Sequence, residues 1–396
     1  MATIEGQRPQ TGPGATGFAL WNLGFRSFYL LASSFAALSI LVWAGRFAGL
    51  LPDAYLPTPA WHGHEMLYGY TMAVVAGFLF TAVRNWTGRP TPTGATLMAL
   101  AALWLAGRVL VLTPFAIAAA VVNAAFPIAV AVGIGIPIVR SRSRRNYFFV
   151  ALMLLLGAAV LAFHLSHLGV LPWPARASLQ VGLDVVLFVL AVMGGRVIPM
   201  FTGNGIPGVH AVRHPVVEKL ALGSVLALLA ADVLQLPSAV GAAVVLGAAV
   251  AHAARLRLWQ PWRTLRTPLV WVLHLAYLWI VVHLLLRGLA ALGLVGDLLA
   301  VHALTVGAIG GMTVGMMTRT ARGHTGRPLV ADGFEVACYV LVALAAAIRV
   351  FGGMLLPGAY VATVVVSGLC WSAAFALYAV RYWPVLSRPR LDGKPG

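Results

Sequence analysis

Eleven histidines stand against ten carboxylates in this chain of 396 residues, an unusual ratio, and most of the histidines lie within or beside apolar stretches. A neutral imidazole offers a lone pair to iron, copper or zinc, and two imidazoles on separate helices can clamp a haem from either side. His64 and His302 are the best pair of that kind, for reasons of internal repetition given below. The competing reading is that each only hydrogen-bonds a neighbouring helix, as polar groups in membrane bundles do. His164 and His167, three apart, share one face of a helix and can bind one ion, with His283 as a third ligand. Met312, Met316 and Met317 are either soft copper ligands or packing residues. Arg46, Arg108, Arg287 and Arg349 either reach lipid phosphates or pair with anions such as haem propionates, a role that the repeat favours for Arg108 and Arg349. Glu65, beside His64, and Asp184, deeper in its span, are the candidates for catalytic proton handling.

The elements that must position these groups are set by composition. Apolar residues make up 61% of the chain and charged residues 9%, against about 25% charged in soluble domains. A water-soluble fold is excluded. A spanning helix needs about 20 mostly apolar residues. Twelve such stretches are expected, at 25–50, 62–84, 94–113, 115–139, 147–171, 177–201, 216–235, 237–255, 268–290, 297–319, 330–354 and 358–380. The fold class is therefore all-α and polytopic, with a membrane domain over 25–380 between an N-terminal segment 1–24 and a tail 381–396.

The formal net charge of +17 invites a nucleic-acid reading, but position decides against it. Only Arg46, Arg108, Arg176, Arg287 and Arg349 lie toward one side of the predicted bundle, and the remaining Lys and Arg lie toward the other. By the positive-inside rule both termini are cytoplasmic. Clusters such as Arg140, Arg142, Arg144 and Arg145 also suit anionic lipid heads. No cleaved signal peptide is expected, and Cys338 and Cys370, inside spans, read as packing residues.

Depth along the helices sorts the histidines into two layers. His62, His64, His164, His167, His283 and His302 fall in the outer one, with His252 and His274 in the inner and His210, His214 and His324 in connections. The two best candidates also recur in register. The segment 64–90 aligns without gaps on 302–328, so that His64, Gly69, Gly77, Arg84, Thr87, Gly88, Arg89 and Pro90 return as His302, Gly307, Gly315, Arg322, Thr325, Gly326, Arg327 and Pro328. Arg108 and Arg349 also correspond, as do Arg46 and Arg287. Together with a fainter middle copy, this predicts a parallel 4+4+4 repeat with units about 25–139, 147–255 and 268–380. Such repeats are related by an axis along the membrane normal.

The stretches WHGHEMLYGY (61–70), GFLFTAVRNWTGRPTP (77–92), GGRVIPMFTGNG (194–205), LVWVLHLAYLW (269–279) and VHALTVGAIGGMTVGMMTRTARGHTGRPL (301–329) resemble the signature segments of the NnrS family, over nearly the whole chain. The resemblance implies a bacterial inner-membrane protein of nitric oxide metabolism, denitrification and nitrosative stress that binds haem and copper. By matching position it marks His64, His274 and His302 as motif histidines and places Arg196 and Asn204 in the Gly-Gly-Arg motif. There is also an analogy with the twelve-helix subunit of haem-copper oxidases and nitric oxide reductases, whose haem is held by histidines on helices 2 and 10. This chain lacks that superfamily's His-His pair on span 7, any membrane histidine on span 6 and an evident copper triad where that superfamily has one, so its chemistry does not carry over. The leading expectation is a haem protein that binds nitric oxide or, as an enzyme, reduces it with electrons from quinol. A secondary transporter for metal, haem or a nitrogen oxyanion is the alternative, and a non-catalytic partner of denitrification enzymes a third.

Overall fold

Punctuation by Gly, Pro and Arg divides the apolar sequence, and each segment between these stops forms a helix. The computed structural model describes residues 17–394; most of the N-terminal segment 1–24 thus lies outside the described residues. The helices are α1 (Gly24–Phe47), α2 (Thr58–Thr87), α3 (Gly94–Leu110), α4 (Ala116–Arg140), α5 (Arg144–His167), α6 (Ala175–Gly205), α7 (Pro215–Val233), α8 (Ser238–Arg263), α9 (Pro268–Ala291), α10 (Asp297–His324), α11 (Gly333–Leu355) and α12 (Pro357–Ser387). No strand occurs among the described residues. Proline opens α7 and α9, where its missing N–H costs nothing. Asp332 caps α11, its carboxylate accepting from the Phe334 and Glu335 backbone N–H groups while Glu335 reaches back to the Asp332 N–H. Gly88 and Gly326, matched in the repeat, both take the left-handed backbone that ends a helix, at φ 64° and 73°.

Ten of these helices, rather than the expected twelve, are long and apolar enough to cross a membrane among the described residues. The other two fold as helices but fall short for separate reasons. α3 has 17 residues, about 25 Å of rise against a hydrocarbon core of about 30 Å. α7 carries Glu218, Lys219 and Asp232. α12 also continues to Ser387, past the expected boundary at 380.

Helices adjacent in sequence pack side by side, and α12 packs on α1. α2, α6 and α9 are the most buried. Three helices change pitch: π turns occupy Glu65–Thr71 in α2, Ala303–Gly310 in α10 and Ile348–Gly352 in α11. The first two begin directly after His64 and His302, so the matched segments share a backbone irregularity as well as residues. π turns concentrate at functional sites.

The Gly-Gly-Arg segment of α6 has a packing reason. The Arg255 guanidinium lies against the α6 backbone, donating to the Ala191 carbonyl at 2.7 Å and, through Nε and Nη2, to both oxygens of Glu218 at 2.8 and 2.6 Å. A Cβ at Gly195 would sit 1.8 Å from Arg255 Nη2. Gly195→Ala is therefore expected to expel the guanidinium and cost about 3–5 kcal/mol, the range for breaking a buried ion pair. Thermal unfolding in detergent measures this, and an unchanged midpoint would contradict the packing argument.

Candidate functional site

His64 ends the first turns of α2, fully buried at one end of the bundle. Its Nδ1 lies 2.7 Å from Glu65 Oε1 and its Nε2 3.1 Å from His164 Nε2. An ionised carboxylate only accepts, so with Glu65 charged Nδ1 carries the hydrogen and Nε2 of His64 presents a lone pair. Two nitrogens in contact need one hydrogen between them. His164 Nε2 supplies it, and the Tyr55 hydroxyl donates to His164 Nδ1. The line of polar groups thus runs from Tyr55 in the α1–α2 connection through α5 to α2, within a shell of Tyr68 and Phe163.

Glu65 is held in turn. Arg108 of α3 donates from Nη1 to the same Oε1 at 2.8 Å and from Nη2 to the Asn123 amide oxygen of α4. Arg108 also lies over the rings of Phe35 and Trp104. Both ions of the pair are buried, so each is needed to offset the other's desolvation. Close approach of the helices makes the contact geometrically available. A Cβ at Gly69 would stand 2.4 Å from Arg108 Nη1, and one at its repeat counterpart Gly307 would stand 2.4 Å from the Trp279 ring.

His167 lies one turn further along α5, its ring 4.6 Å from that of Phe163. Its Nε2 is buried with no hydrogen-bond partner among the described residues. No cluster of three or more His, Cys, Asp or Glu is arranged around a single ion among the described residues. The expected set of His164, His167 and His283 is therefore not gathered. His283 bonds the Ala300 carbonyl through Nδ1 at 2.8 Å, and its Nε2 is buried without a partner among the described residues.

The expected pair of His64 and His302 is also distributed differently. His64 Nε2 faces an imidazole at hydrogen-bond distance, which leaves no space there for a porphyrin. His302 donates from Nδ1 to the Leu298 carbonyl at 2.7 Å, leaving its Nε2 with a lone pair. His302 and Arg349 are within electrostatic reach of His62, whose ring packs on Trp43.

Of the four arginines at this end, Arg108 is committed to Glu65, which corrects its expected role toward propionates. Arg46 bonds Asp53 and the Leu56 carbonyl. The Thr58 hydroxyl chiefly, with the Arg46 guanidinium, holds the exposed Asp53 carboxyl below its usual range, against an opposing effect of desolvation. Arg287 donates to Asp184 at 2.7 Å and to Asp232. Asp184, which also accepts from Gln180 at 3.0 Å, thus belongs to an ion triad joining α6, α7 and α9.

His274 and Arg196 lie toward the opposite end. His274 Nε2 meets the Thr202 hydroxyl at 2.8 Å, and Arg196 donates to Asn146 at 3.1 Å while lying over Trp86 and Phe148. Sequence reasoning missed Tyr55, which falls in a connection, and Asn123. The latter had a signal: a lone amide in an otherwise apolar span is costly unless partnered.

The family model described as NnrS protein matches residues 19–390. No curated protein matches the chain.

Proposed function

The chain belongs to the NnrS family, and from that premise we propose a multi-pass membrane protein of the nitric oxide response that holds a copper ion between His64 and His164. The observation that carries this reading is the convergence of two buried Nε2 atoms 3.1 Å apart, with Glu65 behind one and Tyr55 behind the other. Imidazole donors suit copper. A ligating histidine characteristically gives its second N–H to a carboxylate or other acceptor, which fixes its tautomer. Glu65 is a positioning residue in this scheme, itself held by the buried Arg108 guanidinium.

Haem, implied by the sequence resemblance, fits the donors at His302 better than those at His64. His302 has its Nδ1–H committed to a carbonyl and its Nε2 lone pair available, with Arg349 near enough to attract a propionate. Copper or haem iron in these places would supply the open coordination position that nitric oxide takes. The gas partitions into hydrocarbon and reaches a buried centre from the bilayer. We assign this end of the bundle to the periplasmic side of the inner membrane from the charge asymmetry, with α3 and α7 completing twelve crossings. In the enzymatic form of the proposal, two nitric oxide molecules, two protons and two electrons from quinol give nitrous oxide and water.

Metal analysis and absorption spectra of the purified protein test the assignment. His64→Ala and His164→Ala are expected to lose copper and keep haem, whereas His302→Ala loses haem and keeps copper. Copper retained in both of the first two variants would overturn the centre. Nitrous oxide formation from nitric oxide and quinol separates turnover from binding.

A further inference from the structure

At the end of the bundle opposite His64, α5, α6 and α7 enclose a cleft of about 460 Å³, within the usual range for ligand sites. Its wall is apolar along Phe148, Phe188, Leu222 and Leu226, and its polar groups are Arg196, Arg213, Arg255 and Glu218. Three guanidinium groups thus share one carboxylate. Glu218 is engaged by the bidentate contact from buried Arg255, with Arg213 more distant at 3.2 Å. Arg145 and Arg213 both act electrostatically on Arg196, adding to the mutual repulsion. An anion is the missing counter-charge. The apolar wall narrows its chemistry further, because Leu226 lines the cleft and is also exposed on the outside of the bundle, where hydrocarbon chains lie. A small soluble anion would use the arginines and leave that wall without purpose.

We propose that this cleft binds one anionic phospholipid, its phosphate against Arg196 and Arg213 and one acyl chain along Phe148 and Leu222. Arg255 and Glu218 form the fixed floor, and the close approach at Gly195 sets their position. Arg196 is held ready by Asn146 and by the aromatic rings beneath it. Basic pockets between membrane helices are a known way to recognise acidic head groups. This site is independent of the copper and haem assignments and lies on other residues.

Native mass spectrometry of the full-length, delipidated protein tests the proposal, with dioleoyl-phosphatidylglycerol as the acidic probe and dioleoyl-phosphatidylcholine as the zwitterionic one. The acidic lipid is expected to bind the more tightly, and Arg213→Gln and Arg196→Gln each to weaken it by about fivefold, as loss of one basic contact implies. Phosphatidylcholine, whose choline already offsets its phosphate, is weakened less in these variants. Leu222→Trp, which fills the apolar half of the cleft, is expected to weaken both lipids. Arg213 is an exposed residue, so its variant keeps the fold, and an unaltered thermal unfolding midpoint verifies this. Equal binding of the two lipids overturns the proposal, as does an Arg213→Gln protein with unchanged selectivity. Competition by inorganic phosphate alone would reassign the site to a soluble anion, and displacement by a neutral quinone would reassign it to an electron carrier.

Discussion

Glu65→Gln is expected to weaken metal retention by about 10–100-fold, the usual effect of removing a group that orients a ligand. The amide matches the carboxylate in shape but not in charge, and it can turn its N–H₂ toward His64 Nδ1. His64 Nε2 would then carry the hydrogen and lose the lone pair it directs at His164. The same change leaves the Arg108 guanidinium buried without a counter-charge, and loss of one member of a buried pair costs about 3–5 kcal/mol. Glu65→Gln combined with Arg108→Met is expected to recover much of the stability and none of the affinity, because the tautomer is still unset. Chelator competition measures the affinity and thermal unfolding the stability. Undiminished affinity in the single variant would show that Glu65 does not fix the tautomer.

Arg287→Met is expected to have a comparable effect on folding. It leaves the carboxylates of Asp184 and Asp232, from two helices, beside the position of the lost guanidinium. Each interacts with Arg287, and Asp184 is fully buried. The expected loss is about 3–5 kcal/mol, seen as aggregation in detergent or a lowered unfolding midpoint. Adding Asp184→Asn and Asp232→Asn removes both unpaired charges and is expected to restore a monodisperse protein. Failure of the triple variant alongside a stable single variant would mean that the triad does not hold α6, α7 and α9 together.

The helices and their punctuation were legible in the sequence because apolar length, proline starts and Gly-Arg-Pro stops are local properties. The partner of His64 was not. Which residue of another helix an imidazole meets depends on rotation about both helix axes, and the 3.6-residue period assumed in counting faces fails in α2. The π turn at Glu65–Thr71 widens the coil directly after His64. One extra residue rotates the facing by about 100°, so counting along the chain cannot align His64 with the remainder of its helix. His64 and His302 recur in register, and both precede such a turn, yet one faces α5 and the other its own Leu298 carbonyl. Matching positions in the sequence thus do not bring matching neighbours. The ion pairs show a similar limit: Glu65 and Arg108 were visible individually, but their pairing awaited the packing of α2 on α3.

The packing of α12 against α1 bears on biosynthesis. Arg26 near the start of α1 is fully buried, and its Nη1 donates to the carbonyls of Leu386 and Arg388, 2.8 Å away in each case. The Ala19 N–H bonds the Ser387 carbonyl beside them. These acceptors lie 360 and 362 residues further along the chain, so α1 is made well before the two carbonyls that its guanidinium bonds. A chain without α12 therefore keeps an open flank on α1 and lacks these two acceptors for Arg26, so the first and twelfth helices close the bundle together.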